Sequence, residues 1–217
     1  MKIINLQKRI GDFRLNITEL ELEAGKVHGL IGANGSGKST LAKLVMGVLE
    51  PDRGEILLDD LSIREVSLVP QKPYLMHNTV YENLIYPLKI RKNKPNEEKV
   101  DFWLEKCGLK EKRKQYARSL SGGEQQKLAL ARGLIFEPKL IMIDETFSNL
   151  DPDSVNLFMD IIKKKQENQP ITWIIISHQL MQIRCICDRV HIFAEGEYVQ
   201  SQMAGELEGL YGEYTIF

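Results

Sequence analysis

An apolar run, Val27-His28-Gly29-Leu30-Ile31, breaks into Gly32-Ala33-Asn34-Gly35-Ser36-Gly37-Lys38-Ser39-Thr40, and apolar periodicity then resumes from Leu41 to Leu49. Read as strand, glycine-rich loop and helix, with the spacing G-x-x-x-x-G-K-[ST] intact, this stretch constrains the fold more than any other. The glycines let backbone N–H groups curl around a phosphate where a Cβ would clash. The helix that follows aims its positive end at the same anion. Lys38 reaches the terminal phosphates, and the Ser39 hydroxyl is placed to ligate Mg²⁺.

The flanking pattern places that loop in a layered α/β core. Short strands are expected at Ile3–Leu6, Phe13–Leu20, Lys26–Ile31, Glu55–Leu58 and Val66–Pro70, separated by turns at Glu23-Ala24-Gly25 and Pro51-Asp52-Arg53-Gly54. From about Thr79 to Arg118 the spacing becomes helical, with Val80, Tyr81, Leu84 and Leu88, then Val100, Trp103, Leu104 and Cys107. Pro87 and Pro95 punctuate these helices, so residues 72–120 read as a helical subdomain inserted in one domain of residues 1–217. A helix over Gly123–Phe136 leads to the strand Leu140–Ile143. A helix over Asp153–Glu167 leads to the strand Ile171–Ile176, and short strands close the pattern near Val190–Phe193 and Tyr198–Gln200. Fully apolar strands alternating with helices imply a mostly parallel sheet covered on both faces. Ligands of such sheets bind beyond the carboxyl ends of the strands, where the loop, Asp144 and His178 all fall.

Composition excludes several alternatives. The longest apolar runs, such as Trp173–Ile176, fall far short of the roughly 20 residues that span a bilayer. The amino-terminal residues lack a signal-peptide pattern, so a cytosolic protein is expected. An odd count of three cysteines is no disulfide framework, and Cys185 and Cys187, two apart, form no CxxC pair; buried thiols are expected. A net charge of −1 speaks against general nucleic-acid binding. The balance hides a basic stretch, Lys89 to Arg118, with eleven Lys or Arg against five Asp or Glu. Such a run reads as a solvated face; a surface near anionic lipid headgroups is the alternative.

Two further segments carry chemistry. Leu140-Ile141-Met142-Ile143 delivers Asp144 and Glu145 to the exposed end of a buried strand. Asp144 then serves as a second metal anchor beside Ser39, and Glu145, pointing elsewhere, is placed to polarise an attacking water. Leu120-Ser121-Gly122-Gly123-Glu124-Gln125-Gln126 puts a serine and two glycines at a helix start. In isolation that is an ordinary serine cap; beside a phosphate loop it is a second anion cradle.

Taken together, the segments resemble the ATP-binding subunits of ABC transporters over almost the whole chain. Gly32–Thr40 is similar to the Walker A loop, Leu140–Glu145 to the Walker B strand, and Leu120–Gln126 to the LSGGQ-type signature. Gln71 matches the Q-loop, Ser148-Asn149-Leu150-Asp151 the D-loop, and His178 the switch histidine. The resemblance implies a P-loop NTPase core with a mostly parallel sheet, an antiparallel β-subdomain and the inserted helical subdomain. It implies ATP and Mg²⁺ as ligands, held by Phe13, Asn34, Gly35, Ser36, Gly37, Lys38, Ser39 and Thr40 of one copy. Ser121, Gly122, Gly123, Glu124 and Asp151 of a second, head-to-tail copy complete the site. The metal falls to Ser39, Gln71 and Asp144, and hydrolysis to Glu145, His178, Gln71 and Lys38.

The same resemblance implies integral membrane permease subunits on a separate chain, a solute-binding protein for an importer, and a place on the cytoplasmic face of the membrane. The segments around Gln71-Lys72-Pro73 and Thr79–Leu84 are similar to importers of small solutes. Phe13-Arg14-Leu15-Asn16 and the compact length resemble tungstate/molybdate-type systems. A small exporter motor, or a soluble ATPase of ribosomes or DNA, are the alternatives; one cassette without sustained heptads fits the latter poorly. Departures from the family pattern are Phe13 where a tyrosine is usual, Thr146 where proline is common and Asn149 where alanine is common. The β-subdomain between Gly54 and Gln71 is short, and neither a fused membrane domain nor an appended regulatory domain is expected.

Overall fold

The computed structural model describes residues 1–168 and 170–209. Its strands are β1 (Lys2–Ile10), β2 (Phe13–Glu21), β3 (Val27–Ile31), β4 (Arg53–Leu57), β5 (Val66–Val69), β6 (Leu140–Asp144), β7 (Thr172–Ile176), β8 (Arg189–Ala194) and β9 (Glu197–Met203). The helices are α1 (Lys38–Val45), α2 (Val80–Ile90), α3 (Glu97–Lys106), α4 (Gly122–Leu134), α5 (Pro152–Asn168) and α6 (Leu180–Ile186). All nine strands form one sheet in the order β4-β1-β2-β9-β8-β3-β7-β6-β5. From β8 to β5 every pairing is parallel; β1 pairs antiparallel with β2 and β4 at the other end.

The parallel strands are apolar throughout because both faces are covered. Along β6, Leu140 and Met142 enter the core under α1, whereas Ile141 and Ile143 enter the core under α4 and α5. Along β7 the alternation repeats, with Trp173 and Ile175 on one face and Ile174 and Ile176 on the other. Each such side chain removed from water contributes about 1.5–3 kcal/mol. Register follows from that alternation, since a slip of one residue would exchange the two faces.

The helices between residues 72 and 120 form where the 3.6-residue spacing places them. Thr79 caps α2 and Asn96 caps α3, each accepting a backbone N–H three residues on. Pro87 does not end α2 as its sequence position implies; the helix runs through it to Ile90. An interior proline costs about 3 kcal/mol, and here the buried stripe of Val80, Leu84, Ile85 and Leu88 offsets it. The seven-residue α6 has Ile183 as its buried residue, too weak a pattern for periodicity to announce.

Five of the eleven basic residues in the stretch are ion-paired. Lys89 pairs with Glu82, Lys99 with Glu137, Lys110 with Glu105, Lys112 with Glu124, and Arg113 with Glu97 and Asp101. Of the cysteines, Cys107 and Cys187 are buried as expected, whereas Cys185 is exposed on α6. Burial pushes the Cys107 thiol up to about 12, which keeps it a protonated, inert group. No helix among the described residues is long and apolar enough to cross a membrane.

Candidate functional site

Adjacent parallel strands end together, and the site lies over their ends. β3 runs out at Ile31 into the glycine loop, β6 at Asp144 and β7 at Ile176, with Leu30 and Asp144 both in register with Ile176. The loop then reverses into α1. Gly32 has φ 147, and a Cβ there would lie 2.0 Å from the Phe193 carbonyl oxygen. Gly37, with φ 102, caps α1 in the left-handed region, where Phe13 and Leu15 already crowd the place of a Cβ.

The loop has drawn its own cation inside. Lys38 is only 5% exposed, and its Nζ donates to the Gly32 and Ala33 carbonyls at 2.9 Å and to Ser36 Oγ at 3.1 Å. Burial lowers its pKa; Glu145 and Asp144 oppose the shift. A desolvated ammonium bound by neutral acceptors is a strong draw for an anion. A cleft of about 490 Å³ opens above it, bordered by Asn34, Gly35, Gly37, Ser39 and Thr40 of the loop. Phe13, Gln71 and Glu145 close its sides. Ser36, buried beneath, contributes to the loop's interior rather than to the cleft.

Asp144 and Glu145 diverge for a backbone reason. Glu145 adopts φ 46 and ψ 22, a left-handed conformation that costs a non-glycine residue about 1–3 kcal/mol. Its N–H is held by the Ile176 carbonyl at 2.9 Å. Thr146, fully buried, pins the turn by donating between the Val69 and Asp144 carbonyls. The threonine that departs from the family pattern thus has a defined local role, which its sequence position did not disclose. The turned side chain of Glu145 receives Gln71 Nε2 at 2.7 Å and lies 3.7 Å from His178 Nδ1. Gln71 follows β5 and His178 follows β7, so side chains from the ends of three strands meet at one carboxylate.

Asp144 stays with the loop. Its carboxylate accepts from the Ser39 hydroxyl; burial raises its pKa, with Glu145 adding and Ser39 and Lys38 opposing. Oδ1 is buried without a hydrogen-bond partner. A carboxylate oxygen left unsatisfied beside a hydroxyl is a hard, all-oxygen donor set, which fits Mg²⁺ completed by phosphate and water oxygens. Among the described residues no cluster of three or more His, Cys, Asp or Glu is arranged to hold a metal by itself.

The signature residues do not border this cleft. Ser121 caps α4 and forms a reciprocal capping box with Glu124, and Gly122 and Gly123 open the helix. Asp151 caps the start of α5 through Ser154. The side chains of Ser148 and Asn149 lie outside the described residues. One chain therefore assembles Phe13, residues 34–40, Gln71, Asp144, Glu145 and His178, and leaves Ser121–Glu124 and Asp151 apart.

The chain resembles known ATP-binding proteins over most of its length. The profile of the ABC transporter family matches residues 15–148. The tungstate uptake system ATP-binding protein TupC of Peptoclostridium acidaminophilum is 32% identical over 216 residues, covering 96% of this chain and 98% of TupC. The methionine import ATP-binding protein MetN of Photobacterium profundum is 34% identical over 208 residues, covering 89% of this chain. The chain spans only about 60% of MetN. A solved ATP-binding cassette, a dimer in a post-hydrolysis state bound to ADP and Pi, superposes with a TM-score of 0.82 at 25% identity, covering 94% of this chain and 98% of that one.

Proposed function

The chain belongs to the ABC transporter family, and from that premise we propose that it is the ATP-hydrolysing motor subunit of an importer of a small solute. The observation that carries the reading is the meeting of Gln71, Glu145 and His178 beside a phosphate loop whose lysine is already buried. Those are the groups phosphoryl transfer to water needs, gathered at one carboxylate.

In this reading the loop N–H groups and Lys38 take the charge of the β- and γ-phosphates, and Phe13 stacks on the adenine. Mg²⁺ at Ser39 and Asp144, sensed by Gln71, supplies further charge neutralisation and alignment of the phosphates. Glu145 orients a water and accepts its proton as the water oxygen bonds to the γ-phosphorus and the bridging oxygen departs with ADP. His178 steadies the transferred group. Catalysis is then positioning and electrostatics rather than covalent chemistry.

A second, head-to-tail copy supplies Ser121, Gly122, Gly123, Glu124 and Asp151, which accounts for their distance from the cleft. Closure on ATP is transmitted through the helical subdomain, residues 72–120, to permease subunits on the cytoplasmic face of the membrane, with a solute-binding protein delivering cargo. Full-length coverage of a tungstate-uptake relative supports an oxyanion such as tungstate or molybdate as the cargo class.

Glu145→Gln tests the motor. Turnover should fall at least about a hundredfold, the usual size of a general-base contribution, while ATP-dependent dimers accumulate. Undiminished steady-state hydrolysis would remove Glu145 from its role. Pulling that variant from detergent-solubilised membranes with ATP should recover an integral membrane protein and a solute binder; recovery of ribosomes alone would overturn the transport reading.

A further inference from the structure

The donors at the mouth of α4 are already engaged. Ser121 N–H and Ser121 Oγ donate to Glu124 Oε2 at 3.0 and 3.1 Å, and Glu124 N–H donates back to Ser121 Oγ at 3.4 Å. The other carboxylate oxygen of Glu124, Oε1, receives Lys112 Nζ at 2.5 Å. A carboxylate at the entrance of an anion cradle is the wrong charge for an incoming phosphate unless a cation compensates it.

Lys112 is that cation, and it is held from outside α4. It ends the short turn Lys110–Lys112. The next residue, Arg113, pairs with Glu97 and Asp101 of α3 and lies 4.4 Å over the Tyr81 ring of α2. Backbone bonds from Tyr81 N–H to the Arg113 carbonyl and from Val80 N–H to the Gln115 carbonyl fix the segment to α2. The inserted helices thus set where the ammonium sits relative to Glu124.

We propose that Lys112 is a positioning residue of the nucleotide site, holding Oε1 of Glu124 and offsetting its charge beside Ser121 so that the α4 mouth accepts the triphosphate held by a second copy of this chain. The inference rests on the composite-site reading above. Without Lys112, like charges close on each other in an interface that expels water, where repulsion is strongest. Lys112 touches neither substrate nor metal; it acts through Glu124.

The test is the ATP concentration that half-dimerises the Glu145→Gln chain, read by light scattering. Adding Lys112→Met should raise that midpoint about tenfold at low ionic strength, and only about twofold in 0.5 M KCl, where the field is screened. Lys112→Arg should restore it. In a chain that also carries Glu124→Gln, Lys112→Met should shift the midpoint by less than about twofold. An equal shift with and without Glu124→Gln, or a shift insensitive to salt, would overturn the proposal, since a merely structural lysine behaves that way. Failure of the Glu145→Gln chain to dimerise with ATP while Lys112 is intact would instead overturn the composite site beneath it.

Discussion

Two helix starts in this chain are shaped for an anion, and they are furnished with opposite charges. At the start of α1 the cation is internal, with Lys38 buried and bonded to the loop's own carbonyls. At the start of α4 the resident charge is an anion, Glu124, seated on Ser121 and tied to an exposed lysine. Gly37 and Gly32 bend the first loop through conformations that side chains resist, whereas Ser121 caps the second helix with ordinary extended geometry. A loop with its own cation can hold a phosphate within one chain. A loop with its own carboxylate needs a cation to offset that charge before it can take an anion. Such a pair suits a site divided between two copies.

Lys38→Ala should break the contrast from the first side and give the largest effect. Losing charge-assisted contacts worth about 1.5 kcal/mol each should weaken ATP binding about a hundredfold, measured by titration with a fluorescent nucleotide. Unchanged affinity would show that the buried ammonium is structural only.

Ser121→Ala sharpens it from the second side. Loss of one hydroxyl donor should weaken ATP-driven dimerisation about tenfold, while binding of ATP to the isolated chain stays within about twofold. Equal losses in both measurements would mean that the two cradles serve one chain, and the division would fail.

The scaffolding under the first cradle has its own signature in acid. His28 of β3 and His191 of β8 share a 3.0 Å contact in the core. Burial lowers both pKa values, that of His191 to about 3, with the His28 charge adding to the shift. The unfolded chain then binds protons near pH 6.5 that the folded chain refuses. Stability is full above that pH and declines as pH falls toward the folded values, by about 1.4 kcal/mol per pH unit for His191, with His28 acting in the same direction. Denaturant titrations from pH 7 to 4.5 should be flatter for His191→Leu; parallel curves would place the acid lability elsewhere.

Asp144→Asn should give the smallest change in the fold's stability, and a favourable one. Its raised pKa means the carboxyl favours folding below its unfolded value, and that contribution is lost as pH rises through the folded value. At neutral pH the amide should therefore raise the Tm of the nucleotide-free chain, while Mg²⁺-dependent hydrolysis collapses. A lower Tm would mean that Ser39 and Lys38 more than compensate the buried charge.

Much of this could be read from residues in a row. β3, β6 and β7 were legible because burial on both faces demands unbroken apolar runs, and the loop because its glycines have a fixed spacing. Every residue bordering the cleft, Phe13 included, follows from the sequence pattern or the family it resembles. What stayed hidden is what depends on distant partners. Nothing beside Gln71 announces its bond to Glu145, and nothing beside Lys112 announces Glu124, because those pairs are made by the folded chain. Pro87 misleads for the same reason, since packing against α4 overrides a local breaker. The left-handed turn at Glu145 is equally silent, because glutamate has no preference for it and the Ile176 carbonyl and Thr146 impose it.

The place of β5 at the rim of the sheet has a mechanical consequence. Among the described residues its ladder is made with β6 alone, on one flank, and Gln71 stands just past its end. Among the described residues, withdrawing Gln71 from Glu145 therefore breaks the 2.7 Å bond across the cleft and no rung of the sheet's interior. The segment that begins at Gln71 can swing while β5 keeps its place beside β6 and the boards beneath the phosphate loop stay nailed down.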